Sequence, residues 1–362
     1  RAEKLIGSAG SFSQYSLNYH RLMLDTFSMV EVWRRHLRLP HFSKQLLSRM
    51  VVATEWLRHM VNPFNGDGPN LGANDGARIL NLSNTRFRDF RPSVQLAMVL
   101  FIDKRAYHRG NYKSDNLYWL NVKPSKAVAN SPGNYMAHDG GFAVLRRGKV
   151  MTMLRYPRFR FRPSQADALH LDLWVRSKNV LRDGGTYSYN TEGKWQNYFT
   201  SVESHNTIQF DGRDQMPRYG RFLFYNWLKT KKLDPFKETR TSTSFGASYQ
   251  DGFGSYHRRH IDLKGTSLLV TDEVKGFSRN AVLRWRLMPG NWSLEKLPNG
   301  AHIKIRNSIL FNFDISADIP ISRVEIVQGW ESKHYLEKTL LPVLEVEVKQ
   351  ACTLVTNMVW KA

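Results

Sequence analysis

The sequence predicts an α+β protein in which a group of helices is followed by a large antiparallel β-sandwich. Apolar residues recur at helical spacing in three segments before about residue 110. From about Gly140 onward, short segments of alternating polarity are separated by turn residues, which is typical of β-strands. Because helices come first and strands afterwards, the order favours two separate layers or domains.

The helical part contains three predicted helices joined by loops. Ser11 or Ser13 provides the cap of the first helix, and Pro40 ends it. The stretch Pro63–Asn74 is rich in Gly, Pro and Asn, and is predicted to be a loop. Three helices are too few for a complete helical domain, so they resemble the tail of a larger array. The predicted helices cover residues 14–38, about 43–60 and about 92–107.

About ten strands are predicted after residue 140, and their number and spacing suggest a large antiparallel sandwich. Residues 121–135 have the composition of a linker, so we divide the chain into domains 1–125 and 126–362. The predicted strands are Phe142–Leu145, Val150–Tyr156, Leu169–Val175, Thr207–Phe210, Ser267–Asp272, Ala281–Leu287, His302–Ile305, Ile309–Ile315, Val324–Val327 and Leu344–Val348.

The chain is strongly basic, with 53 Lys+Arg against 31 Asp+Glu and a formal charge of +22. Such a surface attracts polyanions, which include nucleic acids, anionic membranes and acidic polysaccharides. Basic residues are spread along the chain, as in Arg146-Arg147, Arg158–Arg162 and Arg258-Arg259, with aromatic residues among them. A basic composition can also be a general property of the organism or compartment, so composition alone does not identify the binding partner.

Several classes are less favoured by the sequence. Cys352 is the single cysteine, which excludes an internal disulfide framework and a Cys-rich zinc site. No apolar run approaches the roughly 18–20 residues that cross a bilayer. Nucleic-acid binding ranks last because no recognition helix, zinc finger or RNA-binding signature is present. The chain starts at Arg1, and Arg1–Ser11 lacks the apolar core of a signal peptide, so we expect a fragment or a processed form.

Four local motifs make the interpretation more specific, and in their order along the chain they resemble the heparinase II/III polysaccharide lyases. Related alginate lyases share this architecture. The motifs are Gly10–Asp25 with Asn18-Tyr19-His20-Arg21, then Gln165–Trp174 followed by Leu181–Tyr189, then Ser204–Gln215, and finally Gly329-Trp330 with Ser332–Tyr335.

The resemblance implies the C-terminal end of an incomplete (α/α) toroid packed on the antiparallel β-sandwich, with the substrate in the cleft between them. It implies β-elimination on a uronic acid, and hence an acidic polysaccharide as substrate, in a periplasmic or secreted bacterial protein. Heparan-like chains, alginate and an O-antigen uronate all remain open. We expect no cofactor, no nucleic acid and no membrane span. The oligomeric state cannot be deduced.

Tyr19 is the predicted general base and acid, because it resembles the family's catalytic tyrosine. β-Elimination removes the C5 proton of the sugar, and the neighbouring carboxylate must be neutralised since negative charge develops on it. Free tyrosine has a pKa near 10, so we expect neighbouring cations to lower the pKa of Tyr19. The alternative is a packing tyrosine with a satisfied hydroxyl.

The other candidate residues carry weaker expectations. His20 and His205 are candidates for catalysis, although a lone histidine is often structural. Asn18, Arg21, Arg213 and His170 are candidates for substrate binding, because an arginine can clamp a carboxylate with two hydrogen bonds and His170 could face the cleft. We expect Tyr19 to lie in a groove lined by cations such as Arg21 and Arg213. The family's upstream carboxylate-neutralising residue has no counterpart in this chain.

The metal site of the family is expected to be degenerate here. His205 and Asp183 resemble two zinc ligands, but the family's His-x-His pair reads Pro163 and Gln165. An amide is a poor zinc ligand, so we expect no zinc, with His205 and Asp183 kept as a hydrogen-bonded pair. The loss of both histidines also motivates a rival hypothesis, a non-catalytic protein that binds acidic polysaccharide or is associated with its biosynthesis.

Overall fold

The computed structural model describes residues 2–108, 115–296, 302–307 and 311–361. Helices come first and antiparallel sheets follow, as the sequence predicts. The helices are α1 (Ala2–Leu5), α2 (Leu17–His36), α3 (Lys44–Met60), α4 (Arg91–Ala97), α5 (Asp115–Trp119) and α6 (Gly193–Thr200), with a π-helical turn at Met98–Ile102 and a 3-10 turn at Val202–Ser204. Within this part of the chain, every helix is too short or too polar to cross a bilayer.

The helices differ from the predicted ones at their ends. Helix α2 is capped by Ser16, and neither Ser11 nor Ser13 is its cap. Ser11 instead donates a hydrogen bond from its Oγ to Asp139 Oδ1 at 2.7 Å. The third predicted helix stops at Ile102, because Asp103 takes a left-handed conformation with φ 54° and its N–H closes on Met98 O.

The strands form three main antiparallel sheets and a two-stranded ribbon, β7–β8. The sheet orders are β1-β2-β3-β4-β5, then β14-β15-β16-β19-β12-β11-β10-β9, then β17-β18-β13-β6. The strands are β1 (Tyr135–Ala137), β2 (Phe142–Arg147), β3 (Val150–Arg155), β4 (Leu171–Val175), β5 (Lys178–Leu181), β6 (Ile208–Phe210), β7 (Arg218–Gly220), β8 (Leu223–Phe224), β9 (Thr230–Glu238), β10 (Thr243–Gln250), β11 (Tyr256–Leu263), β12 (Ser267–Lys275), β13 (Ala281–Arg286), β14 (Trp292–Lys296), β15 (His302–Asn307), β16 (Phe311–Ala317), β17 (Arg323–Glu331), β18 (Thr339–Val348) and β19 (Cys352–Trp360).

The main hydrophobic core lies between the eight-stranded sheet and the two smaller sheets. One apolar cluster joins side chains of all three, including Leu154, Leu283 and Phe313. A β-bridge between Leu181 and Leu287 connects the edges of the smaller sheets, so together they form the second layer of a sandwich. Strand β19 alternates buried and partly exposed residues along its whole length, since one of its faces is solvated.

Strands β3 and β4 are buried along their whole length, because the helices cover the face of their sheet that points away from the sandwich core. A second apolar cluster joins helical residues such as Trp56 to Phe142, Met153 and Trp174 of this sheet. The rings of Trp56 and Phe142 meet edge to face with centroids 5.3 Å apart. The helical part and the sandwich therefore share one apolar contact.

Several elements were not predicted from the sequence. Helix α6, strands β9 to β11 and strand β19 are missing from the expected set, and the first two residues of the expected strand Ile309–Ile315 lie outside the described residues. Strand β11 buries His257 and Arg259 on its core side, where both contact Asp272 Oδ1 at 2.7 Å. Because polar residues occupy the buried positions of this strand, the sequence lacks the alternation of apolar and polar residues that predicts a strand. The domain boundary near residue 125 stays a prediction.

Gly185 lies at the edge of the contact between the helices and the sandwich, next to the Asn70 side chain and Ser332 O. Its φ is +74°, and a Cβ there would overlap the Asn70 side chain and lie 2.5 Å from Ser332 O. We therefore expect Gly185→Ala to lower the free energy of unfolding by at least about 2 kcal/mol, measured by urea denaturation. Gly193→Ala is the control, because no atom lies within 4 Å of its Cβ position. Equal stability of the two variants would contradict this packing.

Candidate active site

A cavity of about 330 Å³ opens between the helical part and the β-sandwich. Its walls come from the start of α2, the loop before α4, the loop before β4, the segment before α6, α6 itself and the turn between β7 and β8. Its lining residues are Gln14, Tyr19, Ala73, Arg162, Ser164, Thr186, Tyr187, Ser188, Tyr189, Gln196, Phe199, Thr200, Arg221 and Phe222. The side chains are mostly aromatic or polar and uncharged, and the two cations are both arginines.

Tyr19 enters this cavity from the first turn of α2, and Ser16 fixes its position. Ser16 Oγ accepts a hydrogen bond from Tyr19 N at 3.2 Å and donates one to Ala73 O at 2.5 Å. An N-cap serine satisfies one of the free N–H groups of a helix start. Here the same hydroxyl also ties the helix to the opposite loop, so two walls of the cavity meet at one side chain.

The hydroxyls of Tyr19 and Tyr189 lie 3.0 Å apart, within hydrogen-bonding distance. Tyr189 is held in turn by Tyr335, whose hydroxyl accepts a hydrogen bond from Tyr189 N at 3.0 Å. The ring of Phe222 meets the ring of Tyr189 edge to face at 5.4 Å. The second tyrosine is therefore positioned by its own contacts as well as by Tyr19.

The pKa of Tyr19 is raised to about 12, mainly because burial disfavours the phenolate. The hydrogen bond from Tyr189 acts in the opposite direction, and the carboxylate of Asp75 raises the pKa further. Burial also raises the pKa of Tyr189. The expectation that cations lower the pKa of Tyr19 is therefore wrong, because burial and a carboxylate outweigh any cation nearby.

The cations in the cavity are Arg162 and Arg221, whereas Arg21 and Arg213 lie elsewhere. Arg21 is buried between the rings of Phe87 and Phe90, at 4.4 and 4.7 Å from their centroids. Arg213 donates to Asp251 Oδ2 at 2.7 Å and does not line the cavity. Their predicted place in the groove was wrong, since each guanidinium is held by local partners.

His20 and Asn18 also point away from the cavity. The ring of His20 is fully buried, stacks on Trp56 at 4.4 Å and shares a hydrogen bond of 2.8 Å between its Nε2 and Ala53 O. Burial lowers the pKa of His20 to about 4. Asn18 is buried, and its Oδ1 lies 3.5 Å from Arg21 Nη2. Neighbouring residues on a helix point about 100° apart, so Tyr19 alone of residues 18–21 reaches the cavity.

His170 and His205 form a buried cluster with Asp183 beneath the cavity wall. Asp183 Oδ2 lies 3.0 Å from His205 Nδ1 and 3.4 Å from His170 Nε2. The hydrogen-bonded pair of His205 and Asp183 that the sequence suggests is present. All three side chains are buried, however, so neither histidine faces the cleft as a catalytic or substrate-binding group would.

The same cluster provides three atoms within 4.8 Å of one another that could hold a metal ion. The sequence predicted Gln165 as the third member of this cluster. In the structure, His170 is the third member. His170 Nδ1 accepts a hydrogen bond from Asn206 N at 3.0 Å, which assigns the ring proton to Nε2. The Nε2–H has no hydrogen-bond acceptor among the described residues. A protonated Nε2 has no lone pair for a metal, and the remaining pair, Asp183 and His205, is a poor zinc set.

Gln165, which stands where the family has a metal ligand, connects the two parts of the protein instead. Its Oε1 accepts a hydrogen bond from Gly72 N at 3.1 Å, and its Nε2 donates to Gly185 O at 2.9 Å. Asp183 Oδ1 accepts from Gly185 N at 2.8 Å. These bonds fix the turn that leads to Tyr189, so Gln165 and Asp183 help to shape the cavity wall.

Tyr189, Gln14, Arg162 and Arg221 were not singled out from the sequence as site residues. Tyr189 ends the quoted motif Leu181–Tyr189, and its alternation with Tyr187 was the available signal. The two arginines lie in irregular segments before and after α6. Their convergence depends on the sheet topology, which local sequence patterns do not reveal.

We expect the purified protein to carry no stoichiometric zinc. For His170 Nε2 to bind zinc, the ring proton would have to move to Nδ1, and Nδ1 already accepts the hydrogen bond from Asn206 N. Elemental analysis after dialysis against zinc is the measurement. His205→Ala serves as the control, since any zinc held by this cluster would be lost with it. About one zinc per chain in the wild type and none in His205→Ala would contradict the assignment.

The chain matches the family described as Heparinase II/III-like, C-terminal, over residues 130–355. Its fold is similar to a heparinase III, the BT4657 gene product (15% identity, TM-score 0.75, covering 99% of this chain and 53% of that one). It is similar to the heparan sulfate lyase HepC from Pedobacter heparinus (15%, TM-score 0.72, 99% and 54%).

A more distant fold similarity is to the chondroitin AC lyase of Streptomyces coelicolor A3 (11%, TM-score 0.57, 99% and 55%). The chain thus spans about half the length of these structures. No curated protein matches the sequence. The family match over residues 130–355 contains three of the four motifs and confirms the resemblance, and the chain belongs to the heparinase II/III-like family.

Proposed function

We propose that the protein is a polysaccharide lyase that cleaves a uronic-acid-containing acidic polysaccharide by β-elimination, with Tyr19 as general base and acid. The observation that carries this proposal is the pair of tyrosine hydroxyls, 3.0 Å apart, in a cavity with two arginines. Membership of a family whose structural relatives are named as heparin, heparan sulfate and chondroitin lyases supports the same chemistry.

The groups that can bind the substrate carboxylate are the two cavity arginines and two glutamines. Arg162 and Arg221 carry the positive charge, and Gln14 and Gln196 offer amide donors. Neutralising this carboxylate makes the C5 proton more acidic, because the negative charge of the transition state spreads onto it. Arg162 Nη1 donates to Phe222 O at 3.3 Å and Arg221 Nη1 to Asn190 Oδ1 at 2.7 Å, which orient both guanidinium groups.

Proton transfer in this cavity falls to tyrosine, because the described lining contains no His, Asp or Glu. The Tyr19 phenolate takes the C5 proton, the electron pair forms the C4–C5 double bond, and the bond from C4 to the glycosidic oxygen breaks. The Tyr19 phenol then returns its proton to that oxygen. Tyr189 stabilises the phenolate by donating a hydrogen bond to it, which is the direction in which it shifts the pKa of Tyr19. Both transfers therefore occur on one face of the sugar ring.

The main alternative is a non-catalytic member of the family that binds acidic polysaccharide or is associated with its biosynthesis. The observation that favours it is the pair Pro163 and Gln165, which stand where the family's histidines are expected and are both buried. Ultraviolet absorbance of the products separates the two functions, because elimination creates an unsaturated uronate whereas binding does not.

The remaining finer assignments are also proposals. We propose that α2, α3 and α4 belong to an incomplete (α/α) toroid and that the protein acts in the periplasm or outside a bacterial cell. The substrate can be a glycosaminoglycan, alginate or another uronate polymer, and a panel of these polysaccharides assayed with the full-length protein would identify it.

Tyr19→Phe should reduce kcat by roughly 10²–10⁴-fold, the usual contribution of a general acid–base group. Binding of the polysaccharide should change little, because only the hydroxyl is lost. Tyr118→Phe is the control, since that side chain is 78% exposed and does not line the cavity. Equal losses of binding and turnover would show that Tyr19 is a binding or packing residue.

The rate should also depend on pH through the Tyr19 phenolate. Because the pKa is raised to about 12, the phenolate fraction at neutral pH is small, and kcat/KM should rise about tenfold per pH unit between about pH 7 and 9. Asp75→Asn removes a charge that raises this pKa, so kcat/KM at a fixed pH should increase roughly two- to fivefold.

The matched control for this profile is Glu238→Gln, which removes an exposed carboxylate in β9 that does not line the cavity. A flat pH profile for the wild type would exclude the phenolate as the base. An Asp75→Asn profile identical to that of Glu238→Gln would exclude electrostatic control by Asp75.

A further inference from the structure

The segment Pro157–Pro163 alternates basic and aromatic residues in the order Arg158, Phe159, Arg160, Phe161, Arg162. All three arginines are exposed, whereas both phenylalanines are partly buried. We call Arg158, Arg160 and Arg162 the arginine ladder. The backbone bends at Arg160 and Phe161, and the exposed arginines and partly buried phenylalanines give the segment a charged side and an aromatic side.

The aromatic side of this segment packs on the protein. Phe159 and Phe161 both contact the apolar cluster shared by the helices and the sandwich. Phe159 meets Tyr15 edge to face at 5.8 Å, and the guanidinium carbon of Arg155 lies 4.9 Å from the Phe159 ring. Because the phenylalanines are directed inward, the arginines of the ladder are left facing solvent.

One tyrosine hydroxyl anchors the backbone of the ladder. Tyr15 Oη accepts hydrogen bonds from Arg160 N at 2.8 Å and Phe161 N at 3.2 Å, and its proton is directed at Arg158 O at 3.4 Å. Tyr15 itself is buried. The guanidinium groups therefore project from a fixed backbone, which reduces the entropy lost when they bind a ligand.

The charges of the ladder are not neutralised within the protein. Among residues 2–108, 115–296, 302–307 and 311–361, no carboxylate lies within 4.0 Å of the Arg158, Arg160 or Arg162 side chains. Arg258, in contrast, is partly buried and paired with Asp234 at 2.9 Å. Three guanidinium groups without a carboxylate partner on one short segment attract an anion strongly, and a guanidinium can bind a carboxylate or sulfate with two hydrogen bonds.

The ladder starts inside the cavity and leads out of it. Arg162 lines the cavity and its guanidinium carbon lies 5.4 Å from the Phe222 ring, whereas Arg158 and Arg160 do not line it. Four residues of chain span at most about 13 Å, so Arg158 and Arg160, which do not line the cavity, lie within that distance of Arg162, which does.

We propose that the arginine ladder binds the anionic groups of the polysaccharide chain outside the cavity, and that it makes the protein select long acidic chains over short ones. This inference rests on the proposed function, because it takes the cavity as the place where the polysaccharide is cleaved. Its test measures binding without turnover, so a failure of the ladder proposal can be distinguished from a failure of the proposed lyase activity.

The test is the double variant Arg158→Gln/Arg160→Gln, with labelled heparan sulfate chains, alginate chains and a heparan sulfate disaccharide as probes. The dissociation constant for long chains should rise roughly 5- to 20-fold at low salt, and the slope of log Kd against log salt should fall by about two. Binding of the disaccharide should be unchanged. Loss with both polymers indicates recognition of carboxylates, and loss with heparan sulfate alone indicates recognition of sulfates.

The matched control is Arg240→Gln/Lys264→Gln, which removes two exposed charges from turns of the eight-stranded sheet. Equal weakening by both double variants would overturn the proposal, because net charge alone would then explain the loss. Unchanged binding of long chains would also overturn it. Tighter binding of double-stranded DNA than of either polymer, lost in the ladder variant, would assign the segment to nucleic acid and reject the proposal.

Discussion

The contact between the helices and the outer face of the five-stranded sheet is the constraint on which the site depends. Trp56 and Phe142 lie at its centre, and each large apolar side chain buried there contributes about 1.5–3 kcal/mol. Hydrogen bonds at the edge contribute less, about 0.5–1.5 kcal/mol each, but Gln165 and Asn70 set the register of the two parts. The apolar contact holds the parts together, and the polar edge determines the shape of the cavity.

The described lining of the cavity contains no histidine or carboxylate, although the Asp75 carboxylate acts on Tyr19, and this limits the chemistry that the cavity can perform. Burial raises the pKa of both Tyr19 and Tyr189, which favours their neutral phenol forms. Tyr19 can therefore accept a proton only after it has lost its own. The proposed reaction is therefore slow unless the substrate carboxylate is well neutralised, which gives Arg162 and Arg221 a larger share of the transition-state stabilisation than a histidine-containing site would require.

The sequence was sufficient for the order of helices and strands and for the family. It also singled out Tyr19, which lines the cavity and whose catalytic role stays a proposal. It was insufficient for the neighbours of Tyr19, because they come from segments that meet only through sheet topology. His20 and Arg21 follow Tyr19 directly, yet helical geometry turns them into the core, whereas Tyr189 is 170 residues away and lies at 3.0 Å. Strand β11 was not predicted, because its buried positions carry the polar residues His257 and Arg259, which both contact the Asp272 carboxylate.

The short segment from Tyr15 to Tyr19 supports two different tasks. Tyr15 holds the backbone of the arginine ladder, Ser16 holds the start of α2, and Tyr19 extends into the cavity from that helix. The backbone of the ladder and the start of the helix that carries the phenol are therefore held by neighbouring residues of one short piece of chain. A substitution that displaces this piece would disturb both surfaces at once.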